Sequence, residues 1–188
     1  MSALWLHVSG THLVMNIGAM LAITPLCERV IGRWRTVAIF GLGGIAGAAL
    51  SAMLRGDSTV GASPAIIATL AAVGVAALRH RDAMPARLVR AIVGTWVMLT
   101  VIGVGAGLVD KAIDGLSHAG GWIVGAALGA VLPAAVADER PERASQVIGL
   151  GLTALAAFGL VMMVSEAWRC GGSETVFLGC YDAIVSVP

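Results

Sequence analysis

Charge is scarce in this chain. Only 12% of its 188 residues are Asp, Glu, Lys or Arg, the formal net charge is +1, and the few basic residues fall in short segments between apolar runs. No basic patch exists that could follow a phosphate backbone, which excludes nucleic acid as a partner. Aromatics are also few, at 5% with a single Tyr, so the apolar stretches are not built around bulky side chains. No Lys or Arg precedes Arg29. The first apolar run therefore lacks the basic leader of a cleaved signal peptide and reads as a retained span. No soluble domain, low-complexity linker or repeat of 20–50 residues is visible.

What is there instead is apolar and small. Hydrophobic residues make up 58% of the chain, with 25 glycines and a mean hydropathy of +0.90, outside the range of soluble domains. The expected class is an all-α polytopic membrane protein. Taking runs long enough to cross a ~30 Å hydrocarbon core, six spans are predicted, over 4–26, 36–54, 63–79, 88–109, 117–137 and 146–165.

The connections set an orientation. Arg29, Arg33, Arg35, Arg79, Arg81, Arg87, Arg90, Arg140 and Arg143 fall on one side, against Arg55, Lys111 and Arg169 on the other. The positive-inside rule then places the N-terminus and the loops RGDSTVGAS and DKAIDGLSHAGG outside the cytoplasm. Cys170 and Cys180 share that outer, oxidising side and are expected to pair, whereas Cys27 ends the first span on the inner side. Gly43, Gly47 and Ser51 in the second span, and Gly121, Gly125 and Gly129 in the fifth, recur every four residues. Small residues on one helix face let backbones approach, the main source of helix attraction in lipid.

Polar groups inside spans are costly and need a partner or a task. Four stand out: His12 and Asn16, one turn apart on the first span, Ser63 at the start of the third, and His118 at the start of the fifth. All lie toward the outer ends of spans that run in the same direction, so they share one depth. A hydroxyl and an imidazole at matching depth can form a pair in which His acts as general base for a serine nucleophile. Each has a simpler reading too. Ser63 before Pro64 suits a helix cap, and His and Asn in spans serve as hydrogen-bond glue. A metal site from His7, His12 and His118 is disfavoured, because His7 and His12 are five apart and no nearby Cys or Glu completes a ligand set. Asp110 and Asp114 read as solvated loop charges.

The order and spacing of these residues resemble the rhomboid intramembrane serine proteases: His7, His12 and Asn16 as H-x4-H-x3-N, Gly61-Ala62-Ser63 as G-x-S, and His118 followed by Gly121 and Gly125. The pattern covers residues 7 to about 130. The resemblance implies a Ser63–His118 dyad cleaving transmembrane protein substrates within the lipid bilayer, with no cofactor and no metal. It gives His12, Asn16 and the Ser63 backbone N–H the role of oxyanion hole, and Gly61, Gly121 and Gly125 that of packing near the site. It further implies a multi-pass protein of a bacterial inner membrane with its site toward the outer side.

Three features depart from the family pattern. Pro64 stands where Gly usually follows the serine, and Ile67 where an aromatic often backs the histidine. The chain also begins almost at the family's second span. The predicted division is therefore a rhomboid-like catalytic core over 1–137, truncated at its N-terminus, and an added span with an outer tail over 138–188. The competing expectation is a catalytically inactive rhomboid-like protein that binds transmembrane helices. A small transporter or channel subunit would need a polar path through the membrane, whereas these polar groups cluster near one surface.

Overall fold

A computed structural model describes residues 10–55, 61–109 and 114–135, with six further isolated helical positions between 147 and 161, and side chains over 12–55, 61–102 and 114–135 and at those isolated positions. Among the described residues every regular element is helical: α1 (Gly10–Ile31), α2 (Arg33–Arg55), α3 (Ser63–Arg79), α4 (Ala86–Val109) and α5 (Gly115–Val131), with a 3-10 turn at Arg81–Ala83. The first five expected spans each fall on one of these helices. The sixth, 146–165, lies outside the described residues apart from the isolated positions, as do His7, Cys170 and Cys180.

Two helical segments, His12–Ile31 and Arg33–Arg55, are long and apolar enough to cross a membrane by themselves. α3 and α5 have 17 residues each, about 25 Å at 1.5 Å per residue. That falls short of a ~30 Å core, so a short helix of this kind has to begin or end below a bilayer surface.

α3 is the axis of the bundle. Residues on nearly all its faces are buried, from Pro64 and Ala65 to Ala76 and Ala77, as expected of a helix that is apolar all round. α2 and α5 pack closely on it and on each other, and α1 and α4 also pack against it. One apolar cluster joins Cys27, Val30, Ile31 and Ile39 to Ala72, Val73, Ala76 and Ile92. A second joins Ile23 of α1 to Ile66 and Leu70 of α3, with Trp96 of α4 against them. Large apolar side chains such as Val14, Met15, Met53 and Val101 point outward, the surface expected of a protein solvated by lipid.

The helix ends follow from local chemistry. α1 runs five residues beyond its expected end, through Glu28 and Arg29, and stops where Gly32 takes φ +106, a left-handed conformation suited to glycine. Buried Arg35 donates from Nη1 to the Ile31 carbonyl at 3.3 Å. Arg79 donates to the Leu132 carbonyl at 3.0 Å, at the C-terminus of α5. A cation there meets carbonyls that lack helical partners and the negative end of the helix dipole. The arginines that argue for orientation thus also tie down helix ends.

Candidate active site

Ser63 is the first residue of α3. Gly61 has φ +110, which turns the chain into the helix at low cost only for glycine. The residue before the helix is Ala62, which offers no side-chain cap, and Pro64 stands in the first turn, where its missing N–H costs nothing. The hydroxyl of Ser63 does not cap α3. It lies instead 2.9 Å from Nε2 of His118, 55 positions along the chain.

His118 is held by the start of α5. Asp114 caps that helix, its Oδ1 accepting from the backbone N–H groups of Leu116 and Ser117 at 3.1 Å each, and Ser117 Oγ donates to the Asp114 carbonyl at 2.9 Å. Arg55, ending α2, stands 3.8 Å from the Asp114 carboxylate. The expectation that Asp114 is merely a solvated loop charge is therefore corrected. It anchors the first turn of α5, one turn before His118. Asp110 lies outside the described residues.

The spacing between Ser63 and His118 is fixed by backbone contact. A methyl on Gly121 would overlap the carbonyl of Pro64, one on Gly125 that of Ala68, and one on Gly129 that of Ala72. Three glycines on α5 thus meet three residues on α3 in the same four-residue step. Ser63 and His118 lie just beyond one end of this seam. On α2, a methyl at Gly47 would stand 2.5 Å from both Pro64 Cβ and the Ser117 carbonyl oxygen. α2 thereby closes against the starts of both helices.

α1 brings up His12 and Asn16. A methyl on Gly61 would be 2.9 Å from His12 Cε1 and 3.6 Å from Asn16 Nδ2, so both side chains flank the loop two residues before Ser63. Gly61 accordingly lies against these two polar side chains, whereas Gly121 and Gly125 pack helix on helix. Asn16 is 8% exposed, and its Nδ2 has no hydrogen-bond partner among the described residues. A buried donor left open is costly, and this one lies beside the serine loop. The arrangement brings a hydroxyl, an imidazole and an unengaged amide donor to the same end of the bundle.

The position four after Ser63 is half-buried Ile67. One turn beyond His118, Trp122 stacks on Trp96 of α4 with centroids 6.1 Å apart and planes 16° from parallel. Gly74 leaves the room that Trp96 occupies on α3. Sequence reasoning missed this pair, as it missed the Asp114 cap. Asp before an apolar helical run is a legible signal, whereas nothing in the sequence links Trp96 to Trp122. Among the described residues no three His, Cys, Asp or Glu side chains gather to hold a metal ion.

Comparison with known proteins gives this geometry a context. The family described as the Rhomboid domain matches residues 1–135. The chain belongs to the rhomboid family. It is 31% identical over 133 residues to RHOMBOID-like protein 4 of Arabidopsis thaliana, covering 70% of this chain and 33% of that protein. It is 32% identical over 120 residues to Rhomboid protease GluP of Bacillus subtilis (strain 168), covering 64% and 23%. It is 28% identical to Rhomboid protease AarA of Providencia stuartii, covering 86% and 63%. The chain thus spans between about a quarter and two-thirds of the length of these rhomboid relatives. No solved structure matches it. The rhomboid family is one of integral membrane proteins, in keeping with the apolar helices described above, and relatives named as proteases lie within it.

Proposed function

We propose that this rhomboid is an intramembrane serine protease that cleaves transmembrane protein substrates, with residues 1–137 as its catalytic core and 138–188 as an added span and tail. The observation that carries the reading is the 2.9 Å contact between Ser63 Oγ and His118 Nε2. A hydroxyl that only stabilised the helix start would bond to the backbone of its own first turn. Ser63 is turned toward an imidazole on another helix.

In the proposed reaction, Ser63 Oγ adds to the scissile carbonyl carbon while its proton passes to His118 Nε2. Charge then builds on the former carbonyl oxygen. Asn16 Nδ2, His12 and the Ser63 backbone N–H face that oxygen as donors, and a donor of this kind is worth about 3–4 kcal/mol in the transition state. His118 next gives its proton to the departing amine, which breaks the peptide C–N bond and leaves an acyl ester on Ser63. Water gives a proton to His118 as it adds to the ester carbonyl, and His118 passes that proton to Ser63 Oγ as the C–O bond breaks and the carboxylic acid product leaves, losing its own proton to solvent. The positive-inside count supports a site facing away from the cytoplasm, where water reaches Ser63 from the outer end of the bundle.

The test is cleavage of a transmembrane reporter by the purified protein in proteoliposomes. Ser63→Ala and His118→Ala should each abolish cleavage while leaving folding and membrane insertion intact. Undiminished cleavage in either variant would refute the dyad, whereas a wild-type protein that binds the reporter without cleaving it would leave helix binding without catalysis as the better reading.

A further inference from the structure

Pro64, one of the three departures named above, follows Ser63 directly, and the structure shows what surrounds it. The side chain is fully buried. Its ring points at α2, since a methyl on Gly47 would meet Pro64 Cβ at 2.5 Å and Cγ at 3.2 Å. Its carbonyl points at α5, where a methyl on Gly121 would overlap it. The residue is therefore gripped from two sides, ring in a slot opened by Gly47 and backbone on the glycine seam of α5. Ser63 is its immediate neighbour, and His118 lies three residues before Gly121.

We infer that Pro64 is a positioning residue for the nucleophile, with Gly47 as its matching slot. Two physical effects converge on Ser63. The pyrrolidine ring fixes φ at position 64 near −65°, which stiffens the first turn of α3 directly after Ser63. The ring's seat against Gly47 fixes how the start of α3 stands relative to α2, and through Ser117 relative to α5, because the same Gly47 methyl position is 2.5 Å from the Ser117 carbonyl oxygen. The hydroxyl is thereby presented to His118 with few alternatives available. Holding reacting groups in place before reaction lowers the barrier without any contact to substrate.

A flexible residue at this position removes both constraints at once. Pro64→Gly frees the backbone directly after Ser63 and empties the Gly47 slot. Gly47→Ala perturbs the same contact from the other side, placing a methyl where the ring stands. If the two residues act through one contact, their effects are not independent, and the double variant Gly47→Ala/Pro64→Gly is no worse than the worse single one. The added methyl then has the ring's former space, although the Ser117 carbonyl still limits it.

The inference rests on the protease reading, and the experiment separates the two. Full-length protein in proteoliposomes is treated with a fluorophosphonate probe, and the rate of Ser63 modification is followed alongside kcat and KM for a transmembrane reporter. Thermal unfolding of each variant records its stability. Wild type labelled at Ser63, with Ser63→Ala unlabelled, supports the protease reading, and an unlabelled wild type overturns it. Given labelling, Pro64→Gly is expected to slow modification and kcat by about tenfold or more while KM stays within about twofold. Pro64→Ala, which keeps Cβ and a helix-compatible backbone, falls between wild type and Gly and remains informative if the Gly variant does not fold. Labelling of both Pro64 variants at the wild-type rate overturns the inference and leaves the protease reading standing. So does faster labelling of Pro64→Gly, which would make the ring a brake, or effects of the two single substitutions that multiply independently in the double variant.

Discussion

Gly125→Ala puts the α3–α5 seam to its most direct test. The added methyl would overlap the Ala68 carbonyl oxygen and stand 2.6 Å from Ala68 Cα. Carbon atoms in good contact are about 3.5–4 Å apart, so the two helices have to part by about 1 Å at this level. Ser63 and His118 ride on the same helices, between one and two turns away. A comparable separation there would stretch the 2.9 Å contact between them to about 4 Å, beyond hydrogen-bond reach. Displacing reacting groups by about 1 Å costs on the order of 10²-fold in rate, or about 3 kcal/mol of barrier, and overpacking adds about 1–3 kcal/mol of destabilisation. Reporter cleavage by Gly125→Ala in proteoliposomes should therefore fall about 100-fold, with a lowered unfolding temperature. Gly94→Ala is the control: nothing lies within 4 Å of its added methyl, and Ala is the better helix former by about 1 kcal/mol, so neither cleavage nor stability should fall. Wild-type cleavage by Gly125→Ala would refute the claim that backbone contact sets the Ser63–His118 distance.

Asn16→Ala should cut kcat about 10²–10³-fold, the usual cost of one oxyanion donor, without lowering the unfolding temperature, because Nδ2 has no partner to lose among the described residues. A large loss of stability with kcat retained would instead make Asn16 structural glue. Asp114→Ala removes the cap of α5 and should cost about 1 kcal/mol in thermal unfolding, together with part of kcat. Asp114→Asn keeps an oxygen for the Leu116 and Ser117 N–H groups and should recover most of both, unless the role of Asp114 lies in its charge. Gly61→Ala places a side chain at φ +110 and 2.9 Å from His12 Cε1. It should cost about 1–3 kcal/mol of strain and depress cleavage, and a variant as stable as wild type would show that the loop can relax.

Much of this was readable along the chain because a membrane makes polarity expensive. His12, Asn16, Ser63 and His118 stood out as groups lipid would not keep without reason, and the structure brings all four to one end of the bundle around the Ser63 loop. The third span is expected at 63–79, the same limits as α3, with its apolar run ending at the charge of Arg79. The first span is expected to end at residue 26, before Cys27-Glu28-Arg29. The helix continues through it, with Cys27 buried, Glu28 half-buried and Arg29 exposed, until Gly32 turns the chain. The step of four in Gly121, Gly125 and Gly129 was visible, but their partners were not. Pro64, Ala68 and Ala72 look like any other apolar residues until a second helix lies on them. The slot at Gly47 and the Trp96–Trp122 stack were hidden for the same reason, since both depend on which helices become neighbours.

The seam between α3 and α5 also restricts how this protein can change over generations. Positions 121, 125 and 129 already hold the smallest side chain there is, and the surfaces they touch are peptide carbonyls, which no substitution alters. Across the seam, Ala68 and Ala72 can shrink only by a methyl. Any exchange at these three positions adds volume that nothing opposite can surrender, so neutral drift there is nearly closed, and variation is left mainly to the lipid-facing side chains.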